Sequence, residues 1–172
     1  MRKTIEVMGS MALGILFWIT YRAFNGPERL PDRIPTHFNI SGQPNGWGSP
    51  NMLWLLPVVG LGLYLLMTAL AMIRFARYNL PVRVTQTNVQ FIHERTALMV
   101  AWIKLEMLCL FVYIQRAIIR AVTANQGRLS PVIIPVFMAV VFATMGWHLA
   151  VMIRGAKALA NSPEAADYTR KD

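Results

Sequence analysis

The 172-residue chain has little charge, few acidic groups and a single cysteine. Charged residues make up 15% of it, well under the about 25% usual for soluble domains. A disordered or nucleic-acid-binding tail combines high charge with low hydrophobicity, so that class is excluded. Cys109 alone cannot build an intramolecular disulfide framework or a Cys-rich zinc site. There is no Gly-x-Gly-x-x-Gly, Walker A, His-Glu-x-x-His or Gly-x-Ser-x-Gly motif, which points away from an enzyme of those kinds and indicates no cofactor.

Long apolar runs are what the chain has, with 55% hydrophobic residues. A hydrocarbon core of about 30 Å needs roughly 20 apolar helical residues to cross it. Residues 52–73 carry no charge, and residues 131–153 carry only His148 as an ionisable group. Residues 7–21 are uncharged and reach spanning length if Phe24 is included and Arg22 snorkels outward. Residues 96–119 are long enough but include Lys104, Glu106, Gln115 and Arg116. The expected fold is an all-α integral membrane protein of four transmembrane helices. A cleaved signal peptide is the alternative for the first run. The bulky, charged Ile19-Thr20-Tyr21-Arg22 supplies no small-x-small cleavage site, so the run reads as a retained helix.

Lysine and arginine counts set the expected orientation. Arg2, Lys3, Arg74, Arg77, Arg83, Arg95, Arg154, Lys157, Arg170 and Lys171 fall on one side, and Arg22, Arg29, Arg33, Arg116, Arg120 and Arg128 on the other. The richer side belongs inside, so both termini are expected in the cytoplasm. The net charge of +9 then reads as a topology signal and an attraction to anionic lipid rather than to nucleic acid. Trp18, Tyr21, Trp47 and Trp54 cluster toward the outer interface, and Tyr78 and Trp102 toward the inner one.

Gly48-Ser49-Pro50 and Leu129-Ser130-Pro131 each place a serine before a proline, the pattern of an N-cap and first helical residue. Pro57 lies further in and is expected to bend its helix. Similar endings, Met72-Ile73-Arg74 and Met152-Ile153-Arg154, suggest two hairpins of one topology. Convergence is the alternative, since basic residues commonly follow inward-ending helices. The expected divisions are 1–76 for the first hairpin, 77–157 for the second, and 158–172 for a cytoplasmic tail. The outer connection of the first hairpin, 25–49, is much longer than that of the second, and extra loop is where function is sought.

That connection contains Pro31 and Pro35, which stiffen it, and Gly42 and Gly48, which widen its backbone options. Asn45-Gly46 is a turn signal. Ile34, Phe38 and Ile40 offer apolar groups to a small core or to the headgroup region. A structured cap is expected. His37, Asn39, Asn45 and Trp47 are its candidate ligand-binding residues. His37 can also serve by hydrogen-bonding loop backbone together with Asn39. With only Glu28 and Asp32 nearby, it is a poor zinc set, and no metal is assigned.

The run Leu-Pro-x-x-Ile-Pro-x-His-Phe-Asn-x-x-Gly-x-Pro-x-Gly-Trp-Gly-Ser, residues 30–49, resembles the uncharacterised membrane domain at the N-terminus of SdpI-type immunity proteins. The resemblance extends over residues 5–76. It implies a bacterial cytoplasmic (inner) membrane location and a role near peptide-toxin immunity or its signalling. Asn45 stands where that family often has aspartate, and Pro50 where it often has lysine. The second half lacks the Gly-Ile-Arg-x-Pro-type signature of full-length immunity proteins.

Ionisable groups at membrane depth are costly and usually face the bundle interior. At about 100° per residue, His93, Lys104 and Gln115 share one face of the third helix, and Arg95, Glu106 and Arg120 lie roughly opposite. Lys104 and Glu106 therefore diverge and cannot simply pair side by side; each needs another partner, or a long Lys104 must wrap or snorkel toward the cytoplasm. His148 is broadly level with both, and Glu106 is expected to pair with His148 or Lys104. The four groups Lys104, Glu106, Gln115 and His148 read either as interhelical glue or a dimer contact, or as a proton or substrate relay.

The leading expectation is binding or sensing at the outer face, in toxin immunity, antimicrobial-peptide resistance or envelope signalling. The expected partners are the lipid bilayer and a peptide toxin or another membrane protein, with homo-oligomers as a further option and no nucleic acid. The rival is a small proton-coupled transporter built on Glu106, Lys104 and His148. A membrane enzyme using His37 ranks third.

Overall fold

The computed structural model describes residues 1–27, 29–72, 84–123 and 128–161. The element order is α1 Arg2–Asn25, β1 Ile34–Phe38, β2 Pro44–Gly48, a 3₁₀ turn Pro50–Trp54, α2 Leu55–Met72, α3 Val89–Thr123 and α4 Ile133–Ala160. Among the described residues, four helical segments are long and apolar enough to cross a membrane, and the chain is a multi-pass membrane protein.

The contacts set the directions. Glu6 and Thr20 of α1 meet Lys104 and Gln115 of α3, so α1 and α3 run parallel. Thr68 and the Leu53 carbonyl meet the same two α3 residues in reverse order, so α2 is antiparallel. Thr144 meets Glu106, and Ala156 meets Asn88, so α4 is antiparallel as well. The result is an up-down-up-down arrangement. α3 is its hub, with α1 and α2 on one side and α4 on the other.

Lipid is as apolar as leucine, so the inner faces are distinguished by small size and polarity rather than by hydrophobicity. The buried stripe of α1 is Ile5, Gly9, Ala12, Leu16 and Thr20, while Val7, Met11, Ile15 and Trp18 face outward. It packs on Leu98, Ala101, Leu105 and Leu108 of α3. Gly60 marks where three helices converge, since a Cβ there would lie 3.2 Å from Leu16 and 3.4 Å from both Leu108 and Phe111. Ser10 and Gly14, which have small-xxx-small spacing, are instead exposed on the outer side of α1.

α3 is longer than the charge pattern suggests, with 35 residues against the expected 96–119. At 1.5 Å per residue it runs about 52 Å, well beyond a hydrocarbon core of about 30 Å. Its first turns and the end of α4 form a small second core of Ile92, Met152 and Ala156 with Val84. Asn88 ties the two ends together. Its Oδ1 accepts from the Thr85 amide at 2.8 Å, and its Nδ2 donates to the Ala156 carbonyl at 3.2 Å. α4 continues to Ala160, into the stretch read as tail. Residues 162–172, the inner-loop residues Arg74, Arg77, Tyr78 and Arg83, and the paired ending beyond Met72 lie outside the described residues.

The two serine–proline starts are built differently. The α-helix proper of α2 begins at Leu55, so Pro57 falls in its first turn, directly after the 3₁₀ turn. Ser49 caps the preceding 3₁₀ turn, its Oγ accepting from the Asn51 amide at 3.4 Å. Ser130 does not cap α4 with its side chain. The helix begins at Ile133, and the Ser130 amide donates to the Tyr113 hydroxyl at 3.0 Å.

The outer connection folds as an antiparallel hairpin with Ile34 opposite Gly48 and His37 opposite Gly46. Its reversal lies at 39–43, not at Asn45-Gly46. Asn39 closes it three times. Its amide donates to the Gln43 carbonyl at 2.8 Å, its carbonyl accepts from Gly42 at 2.8 Å, and its Oδ1 accepts from the Gln43 amide at 2.9 Å. Gly42 adopts φ +74°, a conformation that favours glycine. Gly46 is needed for a different reason, because a Cβ there would lie 2.8 Å from the His37 Cβ across the ladder.

Candidate functional site

The hairpin is fastened to the bundle at two places. Ile34 and Pro35 are buried, and β1 packs on α3. At the tip, the Leu129 amide donates to the Gly42 carbonyl at 2.9 Å. The α3–α4 connection therefore holds the cap from its far end. Stacked Phe24 and Trp54, with centroids 6.0 Å apart, lie at the cap end of α1 and α2.

On this frame His37, Asn45 and Trp47 are all exposed. The His37 Nδ1 is hydrogen-bonded to the Asn45 Oδ1 across the two strands. Trp47 is 52% exposed, and its carbonyl accepts from Arg33 Nη2 at 3.5 Å. Asn39, the fourth residue expected to bind ligand, has its side-chain oxygen engaged in the turn. The cap thus brings together an imidazole, an amide and a large indole on one small rigid surface. Ile40 at the tip is 95% exposed and belongs to no core.

The polar residues within the helices separate into three centres. Lys104, 1% exposed, donates to Glu6 Oε2 at 2.5 Å and to Thr68 Oγ1 at 2.8 Å, and lies 4.2 Å from the centroid of the Tyr64 ring. Its charge is paired and its donors are engaged by all three groups. Glu6 is the partner that sequence reasoning missed. A carboxylate one turn into an otherwise apolar first helix is the signal that could have identified it.

Gln115 forms the second centre, about 16 Å along α3 from Lys104 by helix rise. Its Nε2 donates to Thr20 Oγ1 at 2.7 Å and to the Leu53 carbonyl at 2.8 Å. That carbonyl would receive the N–H four residues on, but that residue is Pro57 and has none. Gln115 thus meets from a neighbouring helix the need that Pro57 creates, the usual remedy for proline in a membrane helix. Thr20 in turn donates to Leu16 at 2.8 Å.

Glu106 is the third centre. It lies on the opposite face from Lys104, as the angular spacing requires, but neither expected partner takes its hydrogen bond. Thr144 Oγ1 donates to its Oε1 at 2.6 Å. Glu106 Oε2 and His148 Nδ1 are both buried and have no hydrogen-bond partner among the described residues. His93, expected on the Lys104 face, is partly buried. No group of three or more His, Cys, Asp or Glu placed to hold a metal occurs among the described residues.

Residues 11–61 match a family described as a domain of unknown function (DUF1648). No curated protein and no solved structure matches the chain. The matched stretch takes in most of α1, the whole cap and the start of α2. It includes Pro57 and also Thr20 and Leu53, which meet at Gln115, and excludes Glu6, Lys104, Glu106 and His148.

Proposed function

We propose that this chain is a bacterial inner-membrane protein that binds or senses a ligand at its outer face. Its setting is toxin immunity, antimicrobial-peptide resistance or envelope signalling. The observation that carries this reading is the doubly anchored hairpin presenting His37, Asn45 and Trp47 to solvent. A passive connector needs neither a docked tip nor a cross-strand His–Asn pair. The resemblance of residues 30–49 to the N-terminal domain of SdpI-type immunity proteins supplies the biological setting, with a peptide toxin or another membrane protein as the partner.

The test is a deletion strain complemented with variants and challenged with membrane-active peptides. His37→Ala is expected to abolish protection while the protein still accumulates in the membrane, since exposed loop side chains contribute little to a bundle. His37→Gln keeps donor and acceptor groups and is expected to be milder. Full protection by the alanine variant would remove the cap from the mechanism.

The lysine and arginine asymmetry supports an N-in, C-in orientation with the cap outside. Single cysteines at Gln43 and at Gln86, both exposed, in a Cys109→Ser background are expected to label differently with an impermeant maleimide. Position 43 labels in intact cells and position 86 only after permeabilisation. The reverse pattern would invert the topology and place the cap in the cytoplasm.

The second reading, a small proton-coupled transporter, is favoured by one observation, the buried Glu106 Oε2 and His148 Nδ1, which have no hydrogen-bond partner among the described residues. Against it, Lys104 is satisfied on the other face of α3, and the Gln115 Nε2 is engaged by Thr20 and Leu53, its Oε1 having no partner among the described residues.

A further inference from the structure

We propose that Glu106 and His148 form a proton-binding centre between α3 and α4, the two side chains together holding one exchangeable proton. This is independent of the cap and assigns no transport.

Geometry isolates the pair. Thr144 and His148 are one turn apart on α4 and face the same neighbour, because residues four apart share a helix face. Thr144 reaches Glu106 Oε1, which leaves Oε2 on the same carboxyl group without a partner. His148 is 9% exposed, with Nδ1 buried and unpartnered among the described residues. Two such atoms across one helix interface depart from the general rule that buried polar groups are hydrogen-bonded. A proton count resolves the departure. With no proton between them, the pair is a buried carboxylate and an imidazole nitrogen, an uncompensated negative charge. With two it is an uncompensated positive charge. With one it is neutral overall and has a donor to offer, the least costly state in a hydrocarbon setting. In that state both side chains are neutral, the carboxyl group carrying the proton and the imidazole Nδ1 facing it as acceptor.

One outside charge, that of Arg95, bears on this centre. On α3 the nearest titratable groups are Cys109, one turn along, and Arg95, which acts electrostatically on His148. The Arg95 guanidinium lies 5.3 Å from the centroid of the Phe91 ring. On α4 the facing groups are Thr144 and His148 themselves. α1 and α2 pack on the other side of α3, where Lys104 is engaged by Glu6. His148 lies on the side of Thr144 away from the cap.

The test is infrared spectroscopy of the full chain in phosphatidylcholine vesicles, reading the carbonyl stretch of a protonated carboxyl group and its downshift in D₂O. The native protein is expected to show that band at neutral pH. Glu106→Gln is expected to abolish it. Glu94→Gln, at an exposed position on α3, is expected to leave it unchanged. His148→Gln and Thr144→Val are expected to shift its frequency, each altering one side of the carboxyl group. Should Glu106→Gln fail to accumulate, the two shifts carry the assignment. Absence of the band in the native protein, its survival in Glu106→Gln, or insensitivity to both His148→Gln and Thr144→Val would overturn the proposal. Loss of peptide protection in a His37 variant with the band intact would separate this centre from the cap.

Discussion

Lys104→Met is expected to cost about 3–5 kcal/mol of stability, the penalty typical when one partner of a buried ion pair is removed. The ammonium lies at the junction of three helices, held by Glu6 of α1 and Thr68 of α2 and placed beside the Tyr64 ring. Methionine fills much of the same volume, so the loss comes chiefly from the Glu6 carboxylate left without its cation. Glu6→Gln alone strands the ammonium and is expected to be comparably damaging. The double variant Glu6→Gln with Lys104→Met removes both charges and is expected to recover most of the loss, since replacing a whole buried pair is often close to neutral. Thermal unfolding in detergent, followed by helical content, measures all three. Additive losses in the double variant would show that the two residues act separately and that the contact does not hold the bundle together.

The two stripes on α3 were legible from spacing alone. Lys104 and Gln115 stand eleven residues apart and turn toward α1 and α2, while Glu106 turns toward α4. Their partners were not legible, because an interhelical contact depends on the axial offset of two helices and no local pattern encodes it. Glu6 is the clearest case, as its role appears only once α1 is aligned with α3. Hydropathy placed four spans but not the extra turns of α3 and α4, which continue as helices because their ends bind one another through Asn88, Ile92, Met152 and Ala156. The Asn45-Gly46 dipeptide misled for a physical reason. Gly46 is demanded by the closeness of His37, whereas the reversal is built by the side chain of Asn39 and the positive φ of Gly42. Pro57 was legible as a perturbation, but Gln115 as its remedy was not, since the two lie on different helices.

Gly42→Ala tests whether the cap must be docked to work, and its expected effect is loss of function without loss of the bundle. Gly42 combines φ +74° with the closest approach in the cap, since a Cβ there would lie 1.7 Å from the Leu129 carbonyl oxygen. Both obstacles are backbone, so no side-chain rotation relieves them. The left-handed conformation alone costs a non-glycine residue about 1–2 kcal/mol, enough to raise the undocked population roughly 5–30-fold. The collision adds to this by breaking the Leu129 N–H bond to the Gly42 carbonyl. The helices, packed through α3 and held at Lys104 and Gln115, do not depend on that bond. Membrane accumulation and detergent stability are therefore expected to stay near native, while proteolytic cleavage within 34–48 accelerates and peptide protection is lost. Ser41→Ala, at the neighbouring exposed position, is the matched control and is expected to change none of these. Native cleavage rates in Gly42→Ala would refute the docking argument. Rapid cleavage with full protection would instead show that a loose cap suffices, and would move the functional assignment away from the hairpin.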